Sequence, residues 1–199
     1  MLKLFHSADS RSSRFVWLLE ELDVSYELIY TDIRRRSGRG ASDPANLHPD
    51  KRVPALVHDG ELVTESAAIA LYLTDTFPTA GLGPVIGSPG RAAYLTWLAF
   101  YAGEIEMAYA MYERNWIDLD PFKTISRDYA RVNQRVVSAL SIGPYLMGQH
   151  FGAVDILASG PYRWLRDFGP RSQQLDVWLE RLAARPAAIR AAALDVQKD

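Results

Sequence analysis

The chain has 199 residues, of which 48% are hydrophobic and 23% are charged, with a net charge of -2 and a pI of about 6.1. This composition is typical of a soluble globular protein that forms one domain or two small ones and buries a sizeable core. The weak charge gives no reason to expect binding to nucleic acid or to an anionic membrane. The sequence shows neither a basic leader with an apolar core nor a run of about 18 apolar residues, and we therefore expect a cytoplasmic protein.

Cysteine is absent from the sequence. Its absence excludes disulfides, thiolate metal ligands and a cysteine nucleophile of the chain's own. The histidines are scattered without the spacing of metal ligands, so we predict no metal site. They are His6, His48, His58 and His150.

The N-terminal part predicts a strand, a helix and a second strand. The first strand is the apolar run Lys3-Leu-Phe, and the second runs from Tyr26 to Thr31. Between them, apolar residues recur at helical spacing over residues 12–22. These elements form a βαβ unit, whose two strands lie parallel. The polar, glycine-containing composition of residues 32–50 predicts a flexible loop or a frayed helix. The arginines from Arg34 to Arg39 form either a solvated face or a cationic rim that attracts an anionic ligand.

A second dense group of signals lies in residues 52–73. Val53 to Val57 predicts a strand, Asp59-Gly60 a tight hairpin turn, and Glu61 to Val63 the returning strand. Thr64-Glu65-Ser66 then has the composition of a helix start.

Pro54 is unusual at the start of a strand, because it cannot donate to the ladder and keeps Val53 extended. If the Val53–Pro54 bond is cis, the Val53 backbone is turned outward and is free to pair with an extended, peptide-like ligand. The exposed amides of the helix start at Ser66 suit a carboxylate. The alternative is an ordinary hairpin and helix, in which Glu65 and Ser66 only cap the helix.

The order of strand, helix, strand, loop, two strands and helix is that of the thioredoxin-like fold, although the redox cysteine pair of that fold is missing. Residues 78–90 are rich in proline and glycine and predict a linker. We predict an α/β thioredoxin-like N-terminal domain at residues 1–77 and an all-α helical C-terminal domain at residues 91–199. The predicted helices of the second domain span residues 91–115, 121–140 with Pro121 in the first turn, 153–168, 172–184 and 186–195.

Three motifs resemble the glutathione-site segment of the cytosolic glutathione transferase superfamily: Val-Pro-Ala-Leu at 53–56, Asp-Gly at 59–60 and Thr-Glu-Ser-Ala-Ala-Ile at 64–69. The resemblance implies glutathione transferase architecture in a bacterial-type, serine-dependent, cysteine-free member. It also implies a detoxification enzyme that conjugates glutathione to small hydrophobic electrophiles, with glutathione on the first domain and a hydrophobic site contributed by the second. A homodimer, with glutathione as co-substrate and no metal, follows from the same resemblance.

The resemblance extends to the segment from Gly148 to Asp155. Family members place Ser or Thr at the helix N-cap here and Asp three residues later, which together form a reciprocal capping box. Gly152 occupies the N-cap position, so we predict that only the bond from the Gly152 amide to Asp155 survives. The loss of the hydroxyl costs roughly a few tenths of a kcal/mol, and the segment is a folding element.

The resemblance assigns the glutathione contacts to individual positions. Val53 pairs its backbone with the cysteinyl unit, and Pro54 holds the bend. Glu65 receives the γ-glutamyl ammonium group, and Ser66 receives its carboxylate through hydroxyl and backbone amide. Arg52 stands where the family often has a basic residue, and it would meet the glycine carboxylate.

The reaction requires an ionised thiol near neutral pH, against a free-thiol pKa of about 8.5. The superfamily places a hydroxyl or a cysteine just after the first strand, and a hydroxyl bond together with a helix N-terminus stabilises the thiolate. We predict Ser10 for this role, because it precedes the first helix, with Ser12 as second choice and Ser7 as third. The alternative, favoured for Ser12 and Ser13, is that these serines cap the helix.

For the hydrophobic substrate, the resemblance points to large side chains on the helix predicted at 91–115 and just after it. We predict contacts from Tyr101, Tyr109, Tyr112 and Trp116, although such stripes also form core or dimer contacts. Two other functions stay open. One is glutathione-dependent peroxide reduction or reductive cleavage, and the other is a non-catalytic binding or assembly module with this fold.

Overall fold

The computed structural model describes residues 1–119 and 123–196. Its contacts divide the chain into two compact units, one formed by Met1–Ala80 with the segment from Ala184 onward, and the other by Gly81–Ala183. The sequence predicts the segment after residue 183 as part of the helical domain, whereas the structure groups it with the first unit. Pro121, predicted in the first turn of a helix, lies outside the described residues.

The first unit contains a four-stranded mixed sheet with strand order β2-β1-β3-β4. β1 and β2 are parallel, and β3 is antiparallel to both β1 and β4. This is the thioredoxin-like arrangement that the order of elements predicts. The elements are β1 Leu2–His6, α1 Ser13–Leu22, β2 Tyr26–Tyr30, β3 Ala55–His58, β4 Glu61–Val63, α2 Ser66–Thr76 and, near the C-terminus, α8 Pro186–Leu194.

The hairpin between β3 and β4 forms where Asp59-Gly60 predicts it. Both residues have positive φ, 50° for Asp59 and 92° for Gly60, as a two-residue type I′ turn requires. β3 starts at Ala55 and not at the predicted Val53, because Pro54 has no backbone N–H to donate to a ladder. Residues 32–54 lie in turns and loops, so the loop interpretation of this region holds.

α1 turns its apolar face into the core, where Phe15 and Leu18 are fully buried as the helical spacing predicts. On another face, α1 packs against α8. Arg185, just before α8, donates two hydrogen bonds to Glu21 at 2.6 and 2.7 Å. A bidentate pair of this kind fixes geometry as well as adding stability. The C-terminal segment is therefore held against the first unit.

The described part of the second unit is helical. Its helices are α3 Arg91–Phe100, α4 Glu106–Glu113, α5 Lys123–Ile142, α6 Ala153–Trp164 and α7 Gln173–Ala183. The single helix predicted at 91–115 is interrupted, because a π-helical turn at Tyr101–Ile105 separates α3 from α4. Such a turn inserts one extra residue into the helical repeat, which periodicity does not reveal. Within the described ranges, no helix has both the length and the apolar character that a membrane span needs.

Asp155 is fully buried and organises the helical unit. The Gly152 amide donates to its Oδ2 at 3.1 Å, which confirms the predicted half of the capping box. Its Oδ1 accepts the Leu146 amide and the Trp178 indole, each at 2.9 Å. A Cβ at position 152 would lie 2.8 Å from the carbonyl oxygen of Leu82, so this close approach explains the glycine. Asp155 thus joins a connector, the start of α6 and α7.

Candidate functional site

Three segments singled out in the sequence leave the sheet at the same edge, which is formed by one end of the strands β1, β3 and β4. β1 and β3 are antiparallel with Phe5 opposite Ala55, and β3 and β4 are antiparallel with Leu56 opposite Val63. The loop after β1, the residues before β3 and the residues after β4 therefore emerge together. These segments are the serine loop, defined as residues 7–13, the Val53-Pro54 pair and the Glu65-Ser66 pair.

Val53 has a backbone that is free to pair with a ligand. The Val53–Pro54 peptide bond is cis. Within the described residues, neither the N–H nor the C=O of Val53 makes a hydrogen bond. Its side chain is buried in a small apolar cluster with Phe5, so the backbone is the part left for recognition. The neighbouring Arg52 has an exposed side chain, while its carbonyl accepts the Asn46 amide at 3.0 Å.

The start of α2 lacks a capping side chain. Glu65 takes the N-cap position with a φ of 66°, and no side-chain cap bonds to the amides of the first turn. Positive φ is uncommon for a residue with a Cβ. Glu65 is exposed and Ser66 is half-buried. The capping alternative for these two residues is therefore wrong, and the amides at the positive end of the helix dipole remain available to an anion.

The three candidate serines differ in exposure. Ser12 is fully buried and Ser7 is nearly so, whereas Ser10 is half-buried. The Ser10 hydroxyl donates to the Ser7 carbonyl at 2.6 Å and lies 2.8 Å from Ser12 Oγ. Ser12 Oγ lies 2.8 Å from His6 Nδ1 and makes no cap bond to α1. Of the three, Ser10 is therefore the serine that a ligand atom can reach.

Arg35 anchors the serine loop. Its guanidinium donates to Ser7 Oγ at 3.1 Å, to the Ala8 carbonyl at 2.7 Å and to the Asp9 carbonyl at 3.4 Å. The sequence leaves the arginine run as either a solvated face or a cationic rim. Arg35 instead has a structural contact with the candidate site, which composition alone does not indicate.

A carboxylate near the C-terminus also reaches the serine loop. Asp195, which follows α8, accepts the Ser13 hydroxyl at 2.8 Å and the Asp9 amide at 3.2 Å. Its Oδ1 also lies 3.3 Å from His6 Nε2. Burial raises the pKa of the Asp195 carboxyl, but the nearby His6 imidazole and the hydrogen bond from Ser13 outweigh burial and hold this pKa below its ordinary value. Local patterns contain no signal for the contact, since Ser13 and Asp195 are 182 residues apart.

The aromatic residues predicted to contact a hydrophobic substrate lie in the second unit and differ in exposure. Tyr101 and Tyr109 are buried, at 1% and 7% exposed. Tyr112 is half-buried and stacks on Tyr129, with 5.6 Å between the ring centroids. Trp116 is 42% exposed. Of the four, only Tyr112 and Trp116 keep ring surface for a ligand, and burial does not support substrate contacts by the other two.

Three kinds of similarity point to one family. Residues 1–75 match the family model described as glutathione S-transferase, N-terminal domain. The chain is 26% identical to glutathione S-transferase GstA of Escherichia coli O157:H7, over 93% of this chain and 94% of that protein. A solved glutathione transferase from Methylococcus capsulatus aligns with a TM-score of 0.77 and 29% identity, over 98% of each chain. A sphingomonad glutathione S-transferase complexed with glutathione aligns with a TM-score of 0.76 and 26% identity, over 97% of this chain and 98% of that one.

Together these similarities support the cytosolic glutathione transferase superfamily, with residues 1–75 matching its N-terminal domain. The predicted fold class, a thioredoxin-like N-terminal domain followed by a helical C-terminal domain, is thereby confirmed. The roles of individual residues, and the assignment of one substrate to each domain, stay predictions. Within the described residues, no three His, Asp or Glu side chains cluster closely enough to hold a metal ion, and the absence of a metal also stays a prediction.

Proposed function

We propose that this transferase conjugates the glutathione thiolate to small hydrophobic electrophiles. The observation that carries the proposal is the meeting, at one sheet edge, of a free Val53 backbone, the uncapped start of α2 and the half-buried Ser10 hydroxyl. Glutathione is a tripeptide with an extended backbone, two carboxylates, an ammonium group and a thiol. The chemical groups of the edge complement those of this ligand.

The peptide part of glutathione is recognised by backbone and charge. Val53 pairs with the cysteinyl unit as an added strand pairs with a sheet edge, and Pro54 holds the bend. The Ser66 amide and hydroxyl take the γ-glutamyl carboxylate, where the helix dipole favours negative charge. Glu65 takes the ammonium group. The exposed guanidinium of Arg52 takes the glycine carboxylate.

Ser10 stabilises the thiolate. A free thiol with a pKa of about 8.5 is only slightly ionised at neutral pH. A hydroxyl that donates to the sulfur and the N-terminus of α1 both favour the charged form. The Ser10 hydroxyl has to turn from the Ser7 carbonyl, at 2.6 Å, to the sulfur when glutathione binds.

The relatives named glutathione S-transferase and the sphingomonad structure with bound glutathione support this proposal. For the electrophile, Tyr112 and Trp116 offer flat apolar rings. A detoxifying role in the cytoplasm is part of the proposal.

Glu65→Gln and Ser66→Ala should each weaken glutathione binding about 10-fold or more. Glu65→Gln removes the negative charge opposite the ammonium group, and Ser66→Ala removes a hydroxyl that donates to the carboxylate. A hydrogen bond to a charged group contributes about 1.5–3 kcal/mol, and about 1.4 kcal/mol corresponds to a factor of ten. Isothermal titration calorimetry measures the change. Glu61→Gln, at an exposed position of β4, is the matched control and should bind as the wild type does. No binding by the wild type would leave the non-catalytic module as the better interpretation.

A substrate panel tests the reaction itself. The wild type with glutathione should turn over a generic aryl halide, because the activated thiolate displaces the halide. Turnover of an organic hydroperoxide without any conjugation would contradict the proposal and favour peroxide reduction by the same thiolate. Glutathione binding without turnover of either substrate would favour a binding module.

We also propose a homodimer, as the family resemblance implies. Sedimentation velocity should give a mass of twice the 22.3 kDa of one chain. A monomer mass across the micromolar concentration range would contradict this proposal.

A further inference from the structure

His6 is a buried histidine for which the reaction described above has no role. It is 0% exposed and ends β1, where the serine loop begins. Its Nδ1 lies 2.8 Å from Ser12 Oγ, and its Nε2 faces Asp195 Oδ1 at 3.3 Å. Within the described residues, Nε2 makes no hydrogen bond, so its contact with Asp195 is one of distance and charge only. An imidazole held between a hydroxyl and a carboxylate is suited to accepting and returning a proton.

The contacts continue from His6 to the candidate thiol site. Ser12 Oγ, 2.8 Å from the imidazole, is also 2.8 Å from Ser10 Oγ. The Asp195 carboxylate, the imidazole and the two hydroxyls therefore form an unbroken series of close contacts. His6 and Ser12 are fully buried, whereas Ser10 and Asp195, at the two ends of the series, are half-buried. A proton can pass along such a series without free water.

The charged and titratable groups around His6 come from three parts of the first unit. Tyr30 on β2 makes an edge-to-face contact with the imidazole, with 5.5 Å between ring centroids. Arg35, in the loop after β2, donates to Ser7 and holds the backbone next to His6. Asp195, after α8, is the group whose charged atom faces an imidazole nitrogen, at 3.3 Å. Asp195 is therefore the anionic group that lies nearest to the His6 imidazole.

We propose that His6 accepts the proton that leaves the glutathione thiol, through Ser10 and Ser12, and that Asp195 is the counter-ion of the resulting imidazolium. This inference rests on the proposed function, because it requires the thiol to lie at Ser10. His6 does not touch the ligand. It is a positioning residue that acts through two hydroxyls.

Before the transfer, every hydrogen-bond donor in the series points away from the thiol and towards Asp195. The thiol S–H donates to Ser10 Oγ, and the Ser10 hydroxyl turns from the Ser7 carbonyl to donate to Ser12 Oγ. The Ser12 hydroxyl donates to Nδ1 of neutral His6, while Nε2–H points towards Asp195. The series is thus ready to receive a proton at its inner end.

The transfer moves one proton at each step. The S–H bond breaks as a new O–H bond forms at Ser10, the former Ser10 proton passes to Ser12, and the former Ser12 proton passes to His6 Nδ1. The products are a thiolate and an imidazolium, with no electron gained or lost. Both hydroxyls then point outward, so that the Ser10 O–H donates to the sulfur and stabilises its charge.

Two substitutions separate this role from simple packing. His6→Asn keeps an amide N–H close to the Nδ1 position but cannot accept a proton. Asp195→Asn keeps a carbonyl oxygen for Ser13 and for the Asp9 amide but removes the charge. His150→Asn, which replaces an exposed histidine in the second unit, is the matched control.

Two measurements on the glutathione complex at neutral pH test the proposal. The ultraviolet absorbance of the thiolate gives the fraction of bound glutathione that is ionised and, across pH, the pKa of its thiol. Calorimetry in buffers of different ionisation enthalpy gives the number of protons released on binding. In the wild type and in His150→Asn, we expect far fewer protons released than thiolates formed, because His6 retains the proton. In His6→Asn and Asp195→Asn, we expect about one proton released per thiolate, and a thiol pKa higher by about one unit.

The outcomes distinguish this inference from the function on which it rests. Release of one proton per thiolate by the wild type would overturn the role of His6 while leaving glutathione conjugation intact. The same would follow if His6→Asn matched the wild type in both measurements. Failure of the wild type to bind glutathione would instead overturn the proposed function. If circular dichroism shows that His6→Asn does not fold, Asp195→Asn decides by the same two measurements.

Discussion

Ser10→Ala should raise the pKa of the bound glutathione thiol by about one to two units and lower the conjugation rate at neutral pH about 10- to 100-fold. A hydrogen bond to a charged group contributes about 1.5–3 kcal/mol, and each pKa unit corresponds to about 1.4 kcal/mol of preferential stabilisation of the thiolate. The sign follows because the hydroxyl stabilises the ionised form more than the neutral thiol. Without it, a higher pH is needed to form the thiolate, and the rate at a fixed pH below the new pKa falls.

The structure favours Ser10 over the other serines for this effect. The Ser10 hydroxyl is half-buried, and a bound sulfur replaces the Ser7 carbonyl as its acceptor. The Ser12 amide, 3.2 Å away, continues to donate to Ser10 Oγ and holds the oxygen in place. The pH dependence of kcat/KM with an aryl halide measures the shift.

Ser141→Ala, at an exposed position of α5, is the matched control for Ser10→Ala and should leave the pH–rate profile unchanged. An unchanged profile in Ser10→Ala itself would remove Ser10 from the role. The same measurement on Ser12→Ala and Ser7→Ala would then test the two remaining candidates.

Much of the first unit can be predicted from sequence because its signals are local. The apolar spacing of α1 and the Asp59-Gly60 turn each lie within a few residues of the structure that they specify. Pro54 also acts locally, since it has no N–H to donate to the ladder and therefore shortens β3. The serine loop, the Val53-Pro54 pair and the Glu65-Ser66 pair then lie at one edge of the sheet. The antiparallel pairing of β3 with β1 and β4 brings the ends of these strands together.

The environment of the serine loop could not be predicted, because it depends on contacts between residues far apart in the chain. Periodicity and turn residues give no information about a bond between Ser13 and Asp195, or about the fixing of Ser7 by Arg35. The sequence therefore suggests helix capping for Ser12, whereas the structure turns its hydroxyl towards His6.

The aromatic residues of the second unit show a related limit. A run of large side chains indicates a helix with an apolar face, but it does not tell which rings are buried. The π-helical turn at Tyr101–Ile105 adds a residue to the helical repeat. The residues that follow it therefore lie on a different face from the one that regular helical spacing predicts. The burial of Tyr101 and Tyr109, and the exposure of Trp116, could be learned only from the packed structure.

Asp155→Ala should lower the free energy of unfolding by about 3 to 9 kcal/mol, because it leaves three N–H donors without their acceptor and each loss costs about 1–3 kcal/mol. Whole domains have only about 5–15 kcal/mol of stability, so this variant should unfold at a much lower denaturant concentration. Asp155→Asn should lose less, since its remaining carbonyl oxygen can still accept from Leu146 and Trp178. Urea unfolding followed by tryptophan fluorescence measures the difference, with Glu180→Ala at an exposed position of α7 as the control. Equal unfolding midpoints for the alanine variant and the control would show that the hydrogen bonds of Asp155 do not hold the helical unit together.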